Sequence, residues 1–405
     1  MKVLTINSGS SSVKYQLIDT STQQVLCKGL ADRIGIPGTT LVHKRADGHT
    51  VQITNNINDH QSAIDRILEV IISPEHGVID SLQEIQAVGH RLVHGGDKFH
   101  SSVLIDDAVM KKLYECIEFA PLHNPPNIKG VEASLNKLPH VPNVGVFDTT
   151  FHINMPDYAY TYGIPYKFWE AYGIRRYGFH GTSHYYVAHR AAKMLGRDIQ
   201  ELNIITCHLG NGSSIAAVRQ GISVDTSMGF TPLEGLVMGT RCGDIDPGLI
   251  FIIATREKMS LEAASDFFNK QCGVKGISGL SNDMREIESE AAKGNYRAQL
   301  ALNVFCYRVK KYIAAYIGVL NGADAIVFTG GIGENSHVVR HQALSDLDFL
   351  GIKLDEEQNK QIRATEAVIS LPDSRVKALV IPTNEELVIA LETERIVKES
   401  GLTDH

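Results

Sequence analysis

The chain has 405 residues, 43% of them apolar and 21% charged, with a formal net charge of −7. That length exceeds one ordinary hydrophobic core and suits two domains of roughly 150–200 residues each. The acidic balance argues against nucleic acid or an anionic membrane surface as the main partner, and the longest apolar runs, such as Gly248–Ala254, are too short to span a bilayer.

The first predicted element is a strand, Val3–Ile6, that runs into Asn7-Ser8-Gly9-Ser10-Ser11-Ser12-Val13-Lys14. Val13–Ile18 alternates and reads as the returning strand, so this is a hairpin and not a P-loop, which would need G-x-x-x-x-G-K-[ST] opening a helix. A Gly/Ser turn beside Lys14 offers N–H groups, hydroxyls and positive charge to an anion; an ordinary Gly/Ser turn is the plain alternative. Asp59 to Ile72 has helical spacing and stops before Pro74, and Ala108 to Phe119 is a second helix ended by Pro121. Between them, Ile85–Val88 leads into Gly89-His90-Arg91-Leu92-Val93-His94-Gly95-Gly96, where Arg91 at a strand end is placed to fork onto a carboxylate or phosphate. Val144–Phe147 is a buried-type strand that delivers Asp148 to its C-terminal end, where active sites of open α/β sheets gather.

A domain junction is expected near residue 150, followed by an irregular stretch from Pro156 to Tyr172 and a helix from His184 to Leu195. His180 and His184 have i, i+4 spacing; a hydrogen bond to phosphate suits His180, and a packing role suits His184. Ile204–Cys207, the turn His208–Ser214 and Ile215–Val218 then echo the opening hairpin: placing Gly9 on Gly210 puts Ser12 on Ser213. The echo predicts a duplicated domain. Arg241, with a glycine within two residues on each side, reads as a ligand-facing loop. Ala298–Leu320 is a long helix and Ala325–Phe328 a buried strand. Gly330-Gly331-Ile332-Gly333 then forms a βα turn richer in glycine than a turn requires, with a helix from about His337. The last helix starts near Thr383, whose spacing to Glu386 is that of a capping box, leaving Glu385 for a hard cation such as Mg²⁺.

The six cysteines are scattered without a C-x-x-C pair, as reduced thiols would be, and no H-E-x-x-H marks a zinc centre. The N-terminus enters a strand with no signal peptide expected, consistent with a cytoplasmic chain. Alternating strands and helices predict an α/β fold.

Asn7–Lys14 and His90–Gly96 resemble the two signature segments of the acetate kinases (acetokinase family). The resemblance extends through Phe147–His152, Phe179–His184, His208–Ser213, Gly330–Asn335 and Pro382–Glu386. It implies membership of the sugar kinase/Hsp70/actin superfamily: two duplicated ribonuclease H-like ββαβαβα domains with a central cleft, closing on ATP. The expected division is 1–149 and 150–385, with the helix at about 386–405 packing back on the first domain. The implied reaction is reversible transfer of the ATP γ-phosphoryl to acetate, giving acetyl phosphate and ADP, with Mg²⁺ as cofactor and Mn²⁺ as a substitute.

By the same resemblance Asn7 and Glu385 serve the metal, and Ser10, Ser12 and Lys14 line the phosphate path. Arg91 and Arg241 hold the carboxylate and the moving phosphoryl. His180 donates to the phosphoryl, and Asp148 is the essential acid. His208, Leu209, Gly210, Asn211 and Gly212 bind nucleotide, as do Asp283, Met284 and Arg285, and Gly331, Ile332, Gly333, Glu334 and Asn335. Val93, Leu122, Phe179 and Pro232 match the pocket for the methyl group. The family implies a homodimer. A propionate-preferring kinase of the same family is the near alternative; a non-catalytic Hsp70-like ATP switch would share the fold but lack Arg91, Arg241 and the apolar pocket.

Overall fold

The computed structural model describes residues 1–54 and 57–402. The chain forms two compact units: Met1–Thr150 with the segment from Asn384 onward, and Phe151–Thr383.

The first unit is built on an eight-stranded sheet. Its strands are β1 (Lys2–Ser8), β2 (Ser12–Asp19), β3 (Gln24–Asp32), β4 (Thr40–Arg45), β5 (Thr50–Thr54), β6 (Ala87–Leu92), β7 (Val103–Leu104) and β8 (Asn143–Phe147), ordered β5-β4-β3-β2-β1-β6-β8-β7. β1 to β5 form an antiparallel meander, while β6 lies parallel to β1 and β8 parallel to β6. The period of two along β1 decides what each face receives. Leu4 and Ile6 enter a core with Ala63, Ile64, Ile67 and Ile71 of the helix His60–Ile71, and Gly130 of the helix Asn124–Lys137 packs close to Ser8 and Ile6. Thr5 and Asn7 take the other face, where the C-terminal helix Glu385–Glu399 lies. That helix sits tight on β6 because residue 89 is glycine: a Cβ there would come 2.4 Å from Thr393 Oγ1 and 2.7 Å from Ile389 Cγ2.

The second unit repeats the plan with β9 (Asn203–Leu209), β10 (Ser213–Arg219), β11 (Ile222–Thr226), β12 (Ala325–Thr329), β13 (Ala367–Val368) and β14 (Lys377–Val380), ordered β11-β10-β9-β12-β14-β13. The helix Tyr296–Leu320 buries Phe305, Val309 and Ile313 against one face, over Ile205, Cys207 and Ile215. The helix Gly181–Leu195 buries Val187, Ala188 and Ala191 against the other, over Ile204, Ala216 and Val218. The run β3-β2-β1-β6-β8-β7 of the first sheet and β11-β10-β9-β12-β14-β13 of the second share one pattern. Each has three antiparallel strands, two parallel ones and a short antiparallel edge. The fold is a duplicated α/β unit of the ribonuclease H type, with a third antiparallel strand beyond the ββ hairpin expected from sequence.

Several local expectations need correction. In the first hairpin Ser8 pairs with Val13, but in the second Leu209 pairs with Ser213, so the second turn is one residue shorter. Gly210 N–H accordingly reaches Gly212 O, two residues on, where Gly9 N–H reaches Ser12 O, three residues on. With Gly9 placed on Gly210, Gly212 therefore stands where Ser12 stands, and Ser213 does not. The stretch after Pro156 contains two short helices, Asp157–Tyr160 and Lys167–Tyr172. Gly330–Asn335 is itself helical, entered through Gly330 at φ +75°, and a second helix follows at His337–Leu344. All six cysteines are free thiols, and among the described residues no helix is long and apolar enough to cross a membrane. The apolar run at Gly248 forms a helix, Gly248–Arg256, with no buried residue; Phe251 is 73% exposed.

Candidate active site

Strand register assembles the corner of the first unit. Asn7 and Lys14 are direct partners across β1 and β2, and β6 runs beside β1 with Ile6 opposite His90, which brings Arg91 next to Asn7. The first turn of the C-terminal helix completes the corner. Asn7, Lys14, Arg91, Glu385 and Glu386 line one cavity of about 130 Å³.

Arg91 is gripped from behind. Asp148, one residue past β8 and 1% exposed, accepts Nε (2.9 Å) and Nη2 (2.7 Å) of Arg91 in a bidentate pair. Burial opposes the Arg91 charge, but the carboxylates of Asp148, then Glu385 and Glu386, outweigh it and hold the guanidinium above its ordinary range. Asn127, which the sequence did not single out, ties the two signature segments together: its Oδ1 accepts Val93 N–H (3.0 Å) and its Nδ2 donates to Ser8 O (2.5 Å). Asn124 does the same for the next turn, accepting His94 N–H and donating to His94 O and Cys116 O.

The capping box expected at Thr383 and Glu386 does not form. Asn384 is the N-cap, its Oδ1 accepting Leu387 N–H at 3.2 Å. Glu386 is thereby released from a capping role and faces the Arg91 cavity with Glu385. An amide oxygen and two carboxylates on one small cavity are the hard donors that a divalent cation such as Mg²⁺ takes. Among the described residues no cluster of three His, Cys, Asp or Glu forms a ready cage, so an ion here would draw its remaining ligands from phosphate oxygens and water.

In the second unit His180 is the N-cap of its helix in left-handed backbone (φ +56°), an uncommon state for a non-glycine residue. Its ring stacks on His208 at 4.2 Å between centroids. Arg241 meets it over Gly212: a Cβ added at Gly212 would lie 3.2 Å from Arg241 Nη1 and 3.6 Å from His180 Nε2. Only glycine leaves this corner open. Unlike Arg91, Arg241 has no carboxylate partner among the described residues; its guanidinium meets Met238 Sδ at 3.9 Å. Burial pulls its pKa down with nothing to offset it. A half-buried, uncompensated cation beside an imidazole is a site for an anion.

The remaining candidate segments line up around the same turn. Asn211 O accepts Gly239 N–H (3.0 Å) and Asn211 Oδ1 accepts Asn282 Nδ2 (3.0 Å), next to Asp283. Asp283 caps the helix Met284–Ala292 and is ion-paired with the exposed Arg285. Glu334 braces the backbone at the entry to its own helix, where its Oε1 accepts Gly330 N–H (2.9 Å) and Thr383 N–H (3.1 Å). Arg340, fully buried and missed in the sequence, donates to Gly333 O and Glu334 O and to Asn359 and Ile362, holding the glycine-rich helix from its C-terminal end.

Of the residues expected around a methyl group, Val93 follows β6 and Leu122 is 58% exposed in the turn before Asn124, outside the Arg91 cavity. In the second unit Phe179 is buried, its carbonyl accepting from His152 Nε2 (3.0 Å), and Pro232 is half-buried. Ser10 is exposed at the first turn, and Ser12 opens β2.

The family model described as the acetokinase family matches residues 2–391. The chain belongs to the acetokinase family. It is 57% identical over 399 residues to the acetate kinase of Desulfitobacterium hafniense, covering 98% of this chain and all of that one. It is 55% identical over 403 residues to the acetate kinase of Thermotoga maritima, covering 99% and 100%. Among solved structures, Porphyromonas gingivalis acetate kinase superposes with a TM-score of 0.94 at 47% identity, covering 98% of this chain and 99% of that one. A propionate kinase from Francisella tularensis gives 0.91 at 43%, with the same coverage.

Proposed function

We propose that this acetokinase-family chain is an acetate kinase, transferring the γ-phosphoryl group of ATP reversibly to acetate. The observation that carries the reading is the charge arrangement at the two corners. Arg91 is oriented and neutralised by Asp148, so it binds and positions an anion without adding a large excess of charge. Arg241 is left uncompensated beside His180, as a group that stabilises a moving anion should be.

The chemistry needs no strong base, because a carboxylate oxygen is already a nucleophile. It attacks the γ-phosphorus; the bond to the β,γ-bridging oxygen breaks, and ADP leaves with that electron pair. The barrier lies in bringing two anions together and stabilising charge on the phosphoryl oxygens in a loose, in-line transition state. Arg91 holds the carboxylate, Arg241 and His180 donate to the phosphoryl group, and Asp148 keeps Arg91 in its fork. Lys14, Ser10 and Ser12 flank the phosphate path, and His208–Gly212, Asp283–Arg285 and Gly331–Asn335 hold the nucleotide. Asn7 and Glu385 would hold Mg²⁺, or Mn²⁺ in its place, which when bound neutralises phosphate charge. Val93, Leu122, Phe179 and Pro232 are the residues that the family pattern assigns to the methyl group.

The protein works as a homodimer in the cytoplasm. Support for the first comes from the helix Gly248–Arg256, which presents Leu249, Ile250, Phe251 and Ile252 on the surface of its unit. The six free thiols suit a reducing compartment.

The test is hydroxamate trapping of acyl phosphate with ATP, Mg²⁺ and, in parallel, acetate, propionate and butyrate. Acetate should give the highest kcat/KM. One CH₂ is worth roughly 0.8 kcal/mol of burial and an apolar pocket discriminates by about 1–3 kcal/mol, so propionate should follow within about two orders of magnitude. Absence of product with all three acids would overturn the reading.

A further inference from the structure

Behind His180 lies a buried chain of hydrogen bonds that the phosphoryl transfer itself does not use. Thr206 Oγ1 meets His184 Nδ1 at 2.7 Å, His184 Nε2 meets Ser214 Oγ at 2.8 Å, and Ser214 Oγ meets His180 Nδ1 at 2.9 Å. Thr206 on β9, His184 in the first turn of its helix and Ser214 on β10 are all fully buried.

The chain has only one consistent direction. His184 Nδ1 is the sole hydrogen-bond partner of the Thr206 hydroxyl among the described residues. A buried hydroxyl with one partner donates to it, because an unmade donor costs about 1–3 kcal/mol. His184 Nδ1 is therefore an acceptor. Burial, with His152 and His208 facing the ring, holds the His184 pKa well below its ordinary value, so the ring carries one proton. That proton sits on Nε2 and is donated to Ser214 Oγ. The Ser214 proton then goes to His180 Nδ1. A neutral His180 is left with its proton on Nε2, the nitrogen that faces Gly212 and Arg241.

We infer that Thr206, His184 and Ser214 are positioning residues whose one-way hydrogen-bond relay locks His180 as the Nε2–H tautomer, a neutral donor aimed at its anion. The inference rests on the reading of His180 as the phosphoryl-facing group. The relay explains how an imidazole can donate without first being protonated. A protonated Nδ1 would press a second donor onto Ser214 and leave the serine proton without an acceptor.

The test is ¹⁵N NMR of the full-length, histidine-labelled protein without ligand, with the His180 signals assigned through His180→Gln. The wild type should show His180 protonated on Nε2 alone; protonation on Nδ1 overturns the inference. Ser214→Ala and the near-isosteric Thr206→Val, which touches no group of the reaction, should both give a mixture of tautomers. They should lower kcat about 10- to 100-fold for Ser214→Ala and several-fold for Thr206→Val, with KM for ATP and acetate within about twofold of wild type. An unchanged tautomer and unchanged kcat in both variants would also overturn it. The wild-type spectrum needs neither a stable variant nor a turning-over enzyme. Failure of the kinase reading would appear as absent acyl phosphate with the tautomer unaffected, and failure of the relay as active enzyme with the wrong tautomer.

Discussion

The pair Arg91–Asp148 should be separable into a structural and a catalytic part. Asp148 is 1% exposed and accepts two strong hydrogen bonds from Arg91. Arg91→Ala removes the bidentate partner of that carboxylate. Breaking a buried pair costs about 3–5 kcal/mol, and since the Arg91 side chain keeps 23% of its surface, the lower end applies, about 3 kcal/mol. Asp148→Asn is milder, about 1–2 kcal/mol, because Glu385 and Glu386 still balance the guanidinium. The double variant Arg91→Ala/Asp148→Asn removes both charges of the pair and should be more stable than Arg91→Ala by about 1–2 kcal/mol, the non-additivity expected of two residues in contact. At about 2–4 °C per kcal/mol for a unit of this size, Arg91→Ala should melt roughly 6–12 °C early. Far-ultraviolet circular dichroism reads both units, while Trp169, the only tryptophan, lies in the second unit and reports on it as an internal control. Turnover should be lost in all three variants. Equal melting of Arg91→Ala and wild type, or a double variant destabilised by the sum of the singles, would refute the energetic argument. Near-normal turnover in any variant would refute the site.

Acid should unfold the protein through its buried histidines. Burial lowers the pKa of His90 and His152 from the usual 6.5 to about 4. Their folded pKa lies below the unfolded one, so the stability they contribute is complete above pH 6.5 and is lost as pH falls from 6.5 towards 4; each should cost about 2 kcal/mol at pH 5, read as a fall in urea midpoint from pH 7.5 to 5. His90→Gln should flatten that slope. Gly89→Ala should destabilise the first unit by about 1–3 kcal/mol by pushing Thr393 and Ile389 of the C-terminal helix, and lower kcat because Glu385 moves with the helix; a wild-type melting temperature would show that the contact is soft. Asn7→Asp adds a negative charge between Lys14 and the two glutamates, so it should tighten apparent Mg²⁺ binding and raise the KM for acetate; unchanged values for both would remove Asn7 from the site. Phe251→Asp should halve the mass measured by light scattering, and an unchanged mass would exclude the helix Gly248–Arg256 from the dimer interface.

What the sequence determined by itself was local and periodic. Apolar runs ending in Gly, Ser, Asp or Arg marked where strands stop and side chains become available, and alternation along β1 dictated that Leu4 and Ile6 go one way and Asn7 the other. The repeated strand–turn–strand was visible because both copies obey the same two-residue period. The tertiary structure decided everything that depends on what lies opposite. No spacing could show that β6 pairs parallel to β1 with Arg91 beside Asn7, that Asn384 and not Thr383 caps the last helix, or that the second turn is one residue shorter and opens a glycine under Arg241. The sharpest case is His184. Its sequence environment is that of any packed helical histidine, and only the meeting of a helix with two strands places Thr206 and Ser214 at its two nitrogens. Periodicity chooses the face a side chain occupies; its partner there, and therefore its proton, is chosen by register and packing between segments far apart in the chain.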